Sequence, residues 1–178
     1  MDRSFYTRDT VVVAKDLLGK NLCRMHDGVL YKGMIVETEA YKQEEPACHA
    51  YCGLTPRNQI MFHTGGVSYV YFIYGMHFCV NVVTELNGYG CAVLIRALEP
   101  VLNIDNTNGP AKLTKAMHIT RGDNGLDLTD KNSGLWIEEN QVIDAENIVT
   151  APRIGISQAV DYPWRFYIKD NPWVSKIK

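Results

Sequence analysis

The chain contains no run of about 18 consecutive apolar residues, so no membrane-crossing helix is expected. Its first residues, Met1-Asp2-Arg3-Ser4-Phe5-Tyr6, lack the apolar stretch of a secretion signal. Positive charge is not in excess: 18 Lys and Arg against 20 Asp and Glu leave a net charge of −2. The whole-chain balance therefore gives no reason to expect a nucleic-acid binder. Phosphate contact needs only local positive charge, and basic residues do gather around Arg57, between Lys112 and Arg121, and at Lys169, Lys176 and Lys178. Cysteine is scarce and odd in number. Cys23, Cys48, Cys52, Cys79 and Cys91, three of them in apolar strand patterns, read as buried free thiols of a reducing compartment. Cys48 and Cys52 flank His49, but no second ligand pair with zinc spacing follows, so no metal site is expected. Repeats and low-complexity tracts are also missing.

What is present suffices for one domain, 1–178: 178 residues, 46% of them apolar, can bury an adequate core. Asp9 or Thr10 caps a helix carrying Val11, Ala14, Leu17 and Leu18, stopped by Gly19. Strands are expected near 21–25 and 29–41, a hairpin over 67–83, and a long apolar strand over 91–98. Thr55-Pro56 reads as a helix start. Pro110 opens a short helix with Leu113 and Met117 four apart. Ser133 to Ile143 and Ile148 to Ser157 read as strand followed by loop, and Arg165 to Lys169 as a last strand. Hairpins with a few helices predict an α+β domain on a curved, mainly antiparallel sheet, with the 67–83 hairpin protruding.

Within that frame, Glu37-Thr38-Glu39-Ala40-Tyr41 continues the apolar lead Met34-Ile35-Val36. Strict strand alternation puts Ile35, Glu37, Glu39 and Tyr41 on one face and Met34, Val36, Thr38 and Ala40 on the other. Two carboxylates on a strand leaving a core are either a solvated edge or a functional site. Arg96 is the lone charge in its apolar strand, and such an arginine is nearly always paired. In the hairpin, Tyr69 and Tyr71 face one way, and Cys79 shares a face with Asn81. Packing of the rings, with Asn81 bonded to backbone, accounts for that segment without any function.

Taken in order, Val36-Glu37-Thr38-Glu39-Ala40-Tyr41, Thr55-Pro56-Arg57-Asn58, Tyr71, Tyr74-Gly75-Met76, Asn81, Leu94-Ile95-Arg96-Ala97-Leu98-Glu99-Pro100, Asn108-Gly109-Pro110-Ala111-Lys112-Leu113, Arg165-Phe166-Tyr167 and Pro172-Trp173-Val174-Ser175 resemble the alkyladenine (3-methyladenine) DNA glycosylase family. The resemblance covers the chain from about Phe5 to Ser175. It implies a base-excision-repair enzyme that flips a damaged purine out of double-stranded DNA and hydrolyses the bond from base to sugar. By that resemblance Glu39 is the general base and Arg96 its partner, while Glu37 remains a structural acceptor. Tyr41, His49, Tyr71 and Asn81 form the base pocket, with Asn81 near the purine 2-position. Tyr74 and Met76 flank Gly75 at a hairpin tip that enters the minor groove. No lysine occupies a matched pocket position, so a monofunctional enzyme leaving an abasic site is implied.

The resemblance further implies no cofactor, a monomer, and an intracellular, DNA-associated protein. Two stretches depart from the family's pattern: Glu45-Pro46-Ala47-Cys48 ahead of His49, and a short link from Val101 to Asn108. Two other functions compete with this reading. A damaged-base-binding protein of the same fold would need neither Glu39 nor Arg96, and a purine nucleoside hydrolase would have no use for a wedge at Tyr74-Gly75-Met76.

Overall fold

The structure is a computed structural model and describes residues 1–73 and 75–175. Two short helices open the chain, α1 (Arg3–Tyr6) and α2 (Thr10–Asp16). The Asp9 side chain caps α2 by accepting from the amides of Val11 and Val12, and Gly19 turns the chain out at φ +83°. There follow β1 (Asn21–His26), β2 (Val29–Tyr41), β3 (Ser68–Ile73), β4 (His77–Val83), β5 (Ala92–Leu102), α3 (Pro110–Ala116), β6 (Leu135–Glu138), β7 (Ile148–Ala151) and β8 (Arg165–Ile168). Thr55-Pro56 does not start an α-helix. Thr55 instead bonds reciprocally with Asn58 and leads into a 3₁₀ turn over Gln59–Phe62.

The eight strands make one curled antiparallel sheet, ordered β3-β4-β5-β2-β1-β6, with β8 on β2 and β7 on β8. The 13-residue β2 organises it. One edge pairs along β5, and the other pairs first with β1 and then, from Glu37 to Glu39, with β8. The main core lies where the helices cover one sheet face: Tyr6, Val13, Ala14, Leu17, Leu113 and Met117 pack on Ile35, Ala40, Val80, Val82, Val93 and Ile95. The opposite face carries two smaller clusters. One is Met34, Val36 and Ala97 beneath Trp173 and Val174, and the other joins Cys48, Ala50, Met61, Tyr69, Val83 and Ala92.

The β2–β5 register departs from strict alternation. It shifts by one residue between Ile35 and Glu37 and shifts back between Glu37 and Thr38, so that Val36 and Arg96 both lack a direct cross-strand partner. These compensating bulges change which residues share a face. Ile35 joins Ala40 in the main core, whereas Val36 belongs to the cluster on the other face. Strict alternation therefore misplaces Met34, Ile35 and Val36, although Glu37, Glu39 and Tyr41 stay together. Arg96 gains freedom to turn toward the carboxylates.

Thr38, between the two glutamates, points the other way. Its hydroxyl donates to the Ala14 carbonyl at 2.8 Å. That carbonyl is an unsatisfied helix end, because the Leu18 amide bonds Lys15 instead. Thr38→Val keeps the shape and removes the donor. We expect a loss of about 1–3 kcal/mol from the stranded buried carbonyl, read as a lower urea midpoint with an unchanged m-value.

Candidate active site

The apolar run of β2 ends in two carboxylates that are fully buried. Such groups persist only with charge partners and donors around them. Glu37 is served from the C-terminal segment. Its Oε1 accepts from Arg165 Nε at 2.6 Å and Ser175 Oγ at 2.9 Å, and its Oε2 accepts from the Ser175 amide at 2.8 Å. Glu39 is served from a different direction. Its Oε1 accepts from the Ile154 amide at 2.7 Å and its Oε2 from the Tyr41 hydroxyl at 2.8 Å.

Arg96 spans the pair: Nη1 lies 3.2 Å from Glu39 Oε2, and Nε lies 3.3 Å from Glu37 Oε1 without the alignment of a hydrogen bond. The family resemblance assigned Arg96 to Glu39, and the structure sets it against both acids. Burial works against the guanidinium charge, but Glu39 and then Glu37 outweigh it and raise its pKa. Burial, the Glu39 charge and the Glu39 hydrogen bond all raise the pKa of Tyr41, so its phenol stays protonated and donates.

Beside these groups opens a cavity of about 710 Å³, within the range of small-ligand sites. Tyr41, His49, Tyr71, Asn81 and Arg96 all line it. Glu39 does not line it directly, but its two hydrogen-bond donors, Tyr41 and Ile154, and its ion-pair partner Arg96 do. Asn81 sits opposite Leu94 of β5, and its Nδ2 donates to the Tyr69 carbonyl at 3.0 Å. The amide is thus anchored by backbone while it borders the cavity. His49 meets Tyr71 edge-on at a centroid distance of 4.6 Å, and its Nδ1 lies 3.1 Å from the Tyr69 hydroxyl. Its residue keeps an exposed edge, yet the packed ring is desolvated. That burial, followed by the Arg57 charge, lowers the pKa of His49 below 6.5.

The turn that carries exposed Arg57 is tied to the His49 loop through Asn58, whose Nδ2 donates to His49 O at 2.8 Å and to Gly53 O at 3.0 Å. Met76 follows Gly75 (φ +69°) at the β3–β4 turn and is 69% exposed, as a hairpin tip requires. The other tip residue singled out in the sequence, Tyr74, lies outside the described residues.

Some participants were not found by pattern. The segment Ile154 to Gln158 forms one cavity wall, and only its Gly-containing, loop-like composition marks it in the sequence. Arg165 and Ser175 stood out as matched positions without any role. The loop before His49, which departs from the family's pattern, is pinned by Glu45 to Arg153 at 2.6 and 3.0 Å. Cys52 is exposed, contrary to the expectation of uniformly buried thiols, while Cys23, Cys48, Cys79 and Cys91 are buried. Among the described residues, no three His, Cys, Asp or Glu side chains are grouped to hold a metal ion.

Comparison with known proteins gives a consistent picture. A family model described as methylpurine-DNA glycosylase matches residues 4–172. A protein of Carboxydothermus hydrogenoformans, provisionally named 3-methyladenine DNA glycosylase, is 50% identical over 99% of this chain and 98% of its own. One of Legionella pneumophila with the same provisional name is 52% identical over the same shares. A third, from Francisella tularensis, is 49% identical over 94% of each chain.

Two measurements test this geometry. Glu37→Gln removes the charge facing Arg165 and Arg96. Leaving buried cations without their partner costs about 3–5 kcal/mol, which should appear as a large drop in the urea midpoint. The His49 imidazole should be neutral at pH 7 and titrate with a midpoint below 6.5 when its ring nitrogens are followed by NMR. A midpoint at or above that value would mean the ring is solvated.

Proposed function

This chain belongs to the methylpurine-DNA glycosylase family, and from that premise we propose that it excises alkylated or deaminated purines from duplex DNA by hydrolysis of the N-glycosidic bond. The candidate bases are 3-methyladenine, 7-methylguanine, hypoxanthine and ethenoadenine. The observation that carries the reading is a buried carboxylate held by a cavity's own lining: Glu39 is bonded by Tyr41 and Ile154 and paired with Arg96 beside the rings of Tyr41, His49 and Tyr71. A flat purine between such rings gains about 1–3 kcal/mol per stacked base. Cationic purines gain further attraction from the ring faces.

Glu39 takes a proton from the water that attacks C1′ as the bond opens, and its negative charge stabilises the oxocarbenium-like sugar. Arg96 faces the carboxylate with a matching charge and orients it. The Tyr41 and Ile154 donors fix both oxygens, so the base needs little reorganisation. Asn81 selects by exclusion: an amide beside the purine 2-position crowds the exocyclic amine of guanine. Met76, with Tyr74, serves as the wedge that fills the vacated stack. The described cavity lining contains no lysine, which supports a monofunctional reaction ending at an abasic site. The protein acts as a monomer on DNA inside the cell.

The test is single-turnover excision from duplexes carrying one lesion each. Glu39→Gln should lower the rate by at least about 10²–10⁴-fold while leaving lesion-duplex binding nearly intact. A rate within tenfold of wild type would remove Glu39 from the role of base. A larger loss in a folded Glu37→Gln protein would move that role to Glu37.

A further inference from the structure

We propose that Arg153 is a positioning residue that tunes the base pocket between cationic and neutral purines, acting through Tyr41; the inference rests on the glycosylase reading above. Arg153 does not line the cavity, and its side chain is fully buried. Its guanidinium carbon lies 4.6 Å from the centroid of the Tyr41 ring, over one face, and 5.4 Å from that of Trp164. Glu45 holds it bidentately through Nη1 and Nη2, and the carbonyls of Ala40 (3.0 Å) and Ala159 (3.3 Å) accept from the same two nitrogens, while Nε is buried without a partner among the described residues. One residue thereby joins the end of β2, the loop that carries Ala47 and His49, and the wall from Ile154 to Gln158.

The consequence for ligand choice follows from ring electrostatics. A π-face attracts a cation through its quadrupole, and one face of Tyr41 is already occupied by a protein cation. A base stacking on Tyr41 must use the other face. A neutral purine stacks there without penalty, whereas a methylated, positively charged purine meets a ring already polarised toward Arg153 and a like charge beyond it. Glu45 offsets that charge, but the positive end of the pair is the end packed on the ring. The pocket therefore gives cationic bases less advantage than bare aromatic rings would, which keeps neutral lesions competitive.

The test compares duplexes carrying 7-methylguanine, which is cationic, with duplexes carrying hypoxanthine, which is neutral, by single-turnover rate and by Kd. The double variant Arg153→Met/Glu45→Gln removes both charges and leaves neither buried alone. It should raise the cationic-to-neutral preference by about two- to fivefold. Glu45→Gln alone leaves the cation uncompensated and should shift the preference the opposite way. Arg153→Lys, which keeps a charge at the ring, should stay near wild type. A purely structural role predicts equal losses on both lesions, and an unchanged ratio in the double variant overturns the proposal. If the double variant does not fold, Glu45→Gln decides, and an unchanged ratio there also overturns it. A wild-type protein that removes neither base defeats the glycosylase reading and this proposal together. A wild type that acts on both, with variants of unchanged ratio, defeats this proposal alone.

Discussion

Two carboxylates two residues apart on one strand, both removed from water, are the constraint around which this structure is arranged. Left alone, two like charges out of water would repel each other at a cost the fold must offset. Two buried arginines, Arg96 and Arg165, match them in charge. Arg96 arrives from β5, the neighbour on one edge of β2, and Arg165 from β8, the neighbour on the other. The sheet order therefore serves as a charge-compensation scheme: β2 is central because its acids need a cation from each side.

The two acids then diverge by the company they keep. Glu37 receives donors from Arg165 and Ser175, groups belonging to the C-terminal segment, and the small apolar cluster under Trp173 and Val174 lies next to it. Its oxygens are committed to holding that segment on the sheet. The donors of Glu39 come from Tyr41 and Ile154, which also border the cavity. Moving Tyr41 or the 154–158 wall therefore changes the environment of Glu39 directly, while Glu37 makes no hydrogen bond to either. Chemically equivalent residues thus keep different company, because only Glu39 takes its hydrogen-bond donors from the lining of the cavity, while Arg96 touches both.

The paired bulges at Val36 and Arg96 make this possible. In a regular ladder, Glu37 and Ile35 would lie on the same face, and either the acid would enter the main core or Ile35 would leave it. The extra residue on β2 turns Glu37 toward the cavity side while Ile35 stays in the core. The matching extra residue on β5 turns Arg96 after it. Thr38, pointing back, converts the same irregular stretch into an anchor for the end of α2. One local defect in the sheet thus supplies a site, its counter-charge and a helix attachment.

Much of this was legible in the chain itself. Apolar periodicity and turn residues mark α2, β1, β2, the β3–β4 hairpin, β5, α3 and β8, because those segments obey local rules of alternation and capping. The facing of Tyr69, Cys79 and Asn81 follows from period-two alternation, which the hairpin keeps. A lone arginine in an apolar strand announces a buried partner, since no other arrangement is tolerable. The sequence could not show that this partner would be both acids at once, foresee the bulges, or show that Thr55-Pro56 forms a turn instead of an α-helix. Nor could it join Glu45 to Arg153 across 108 positions, or show that Glu37 and Glu39 draw their donors from different segments. These features depend on contacts between segments far apart in the chain, where sequence spacing sets no distance. Local physics determined the elements and the kinds of residue a site would need. Only tertiary packing decided which donor reached which oxygen.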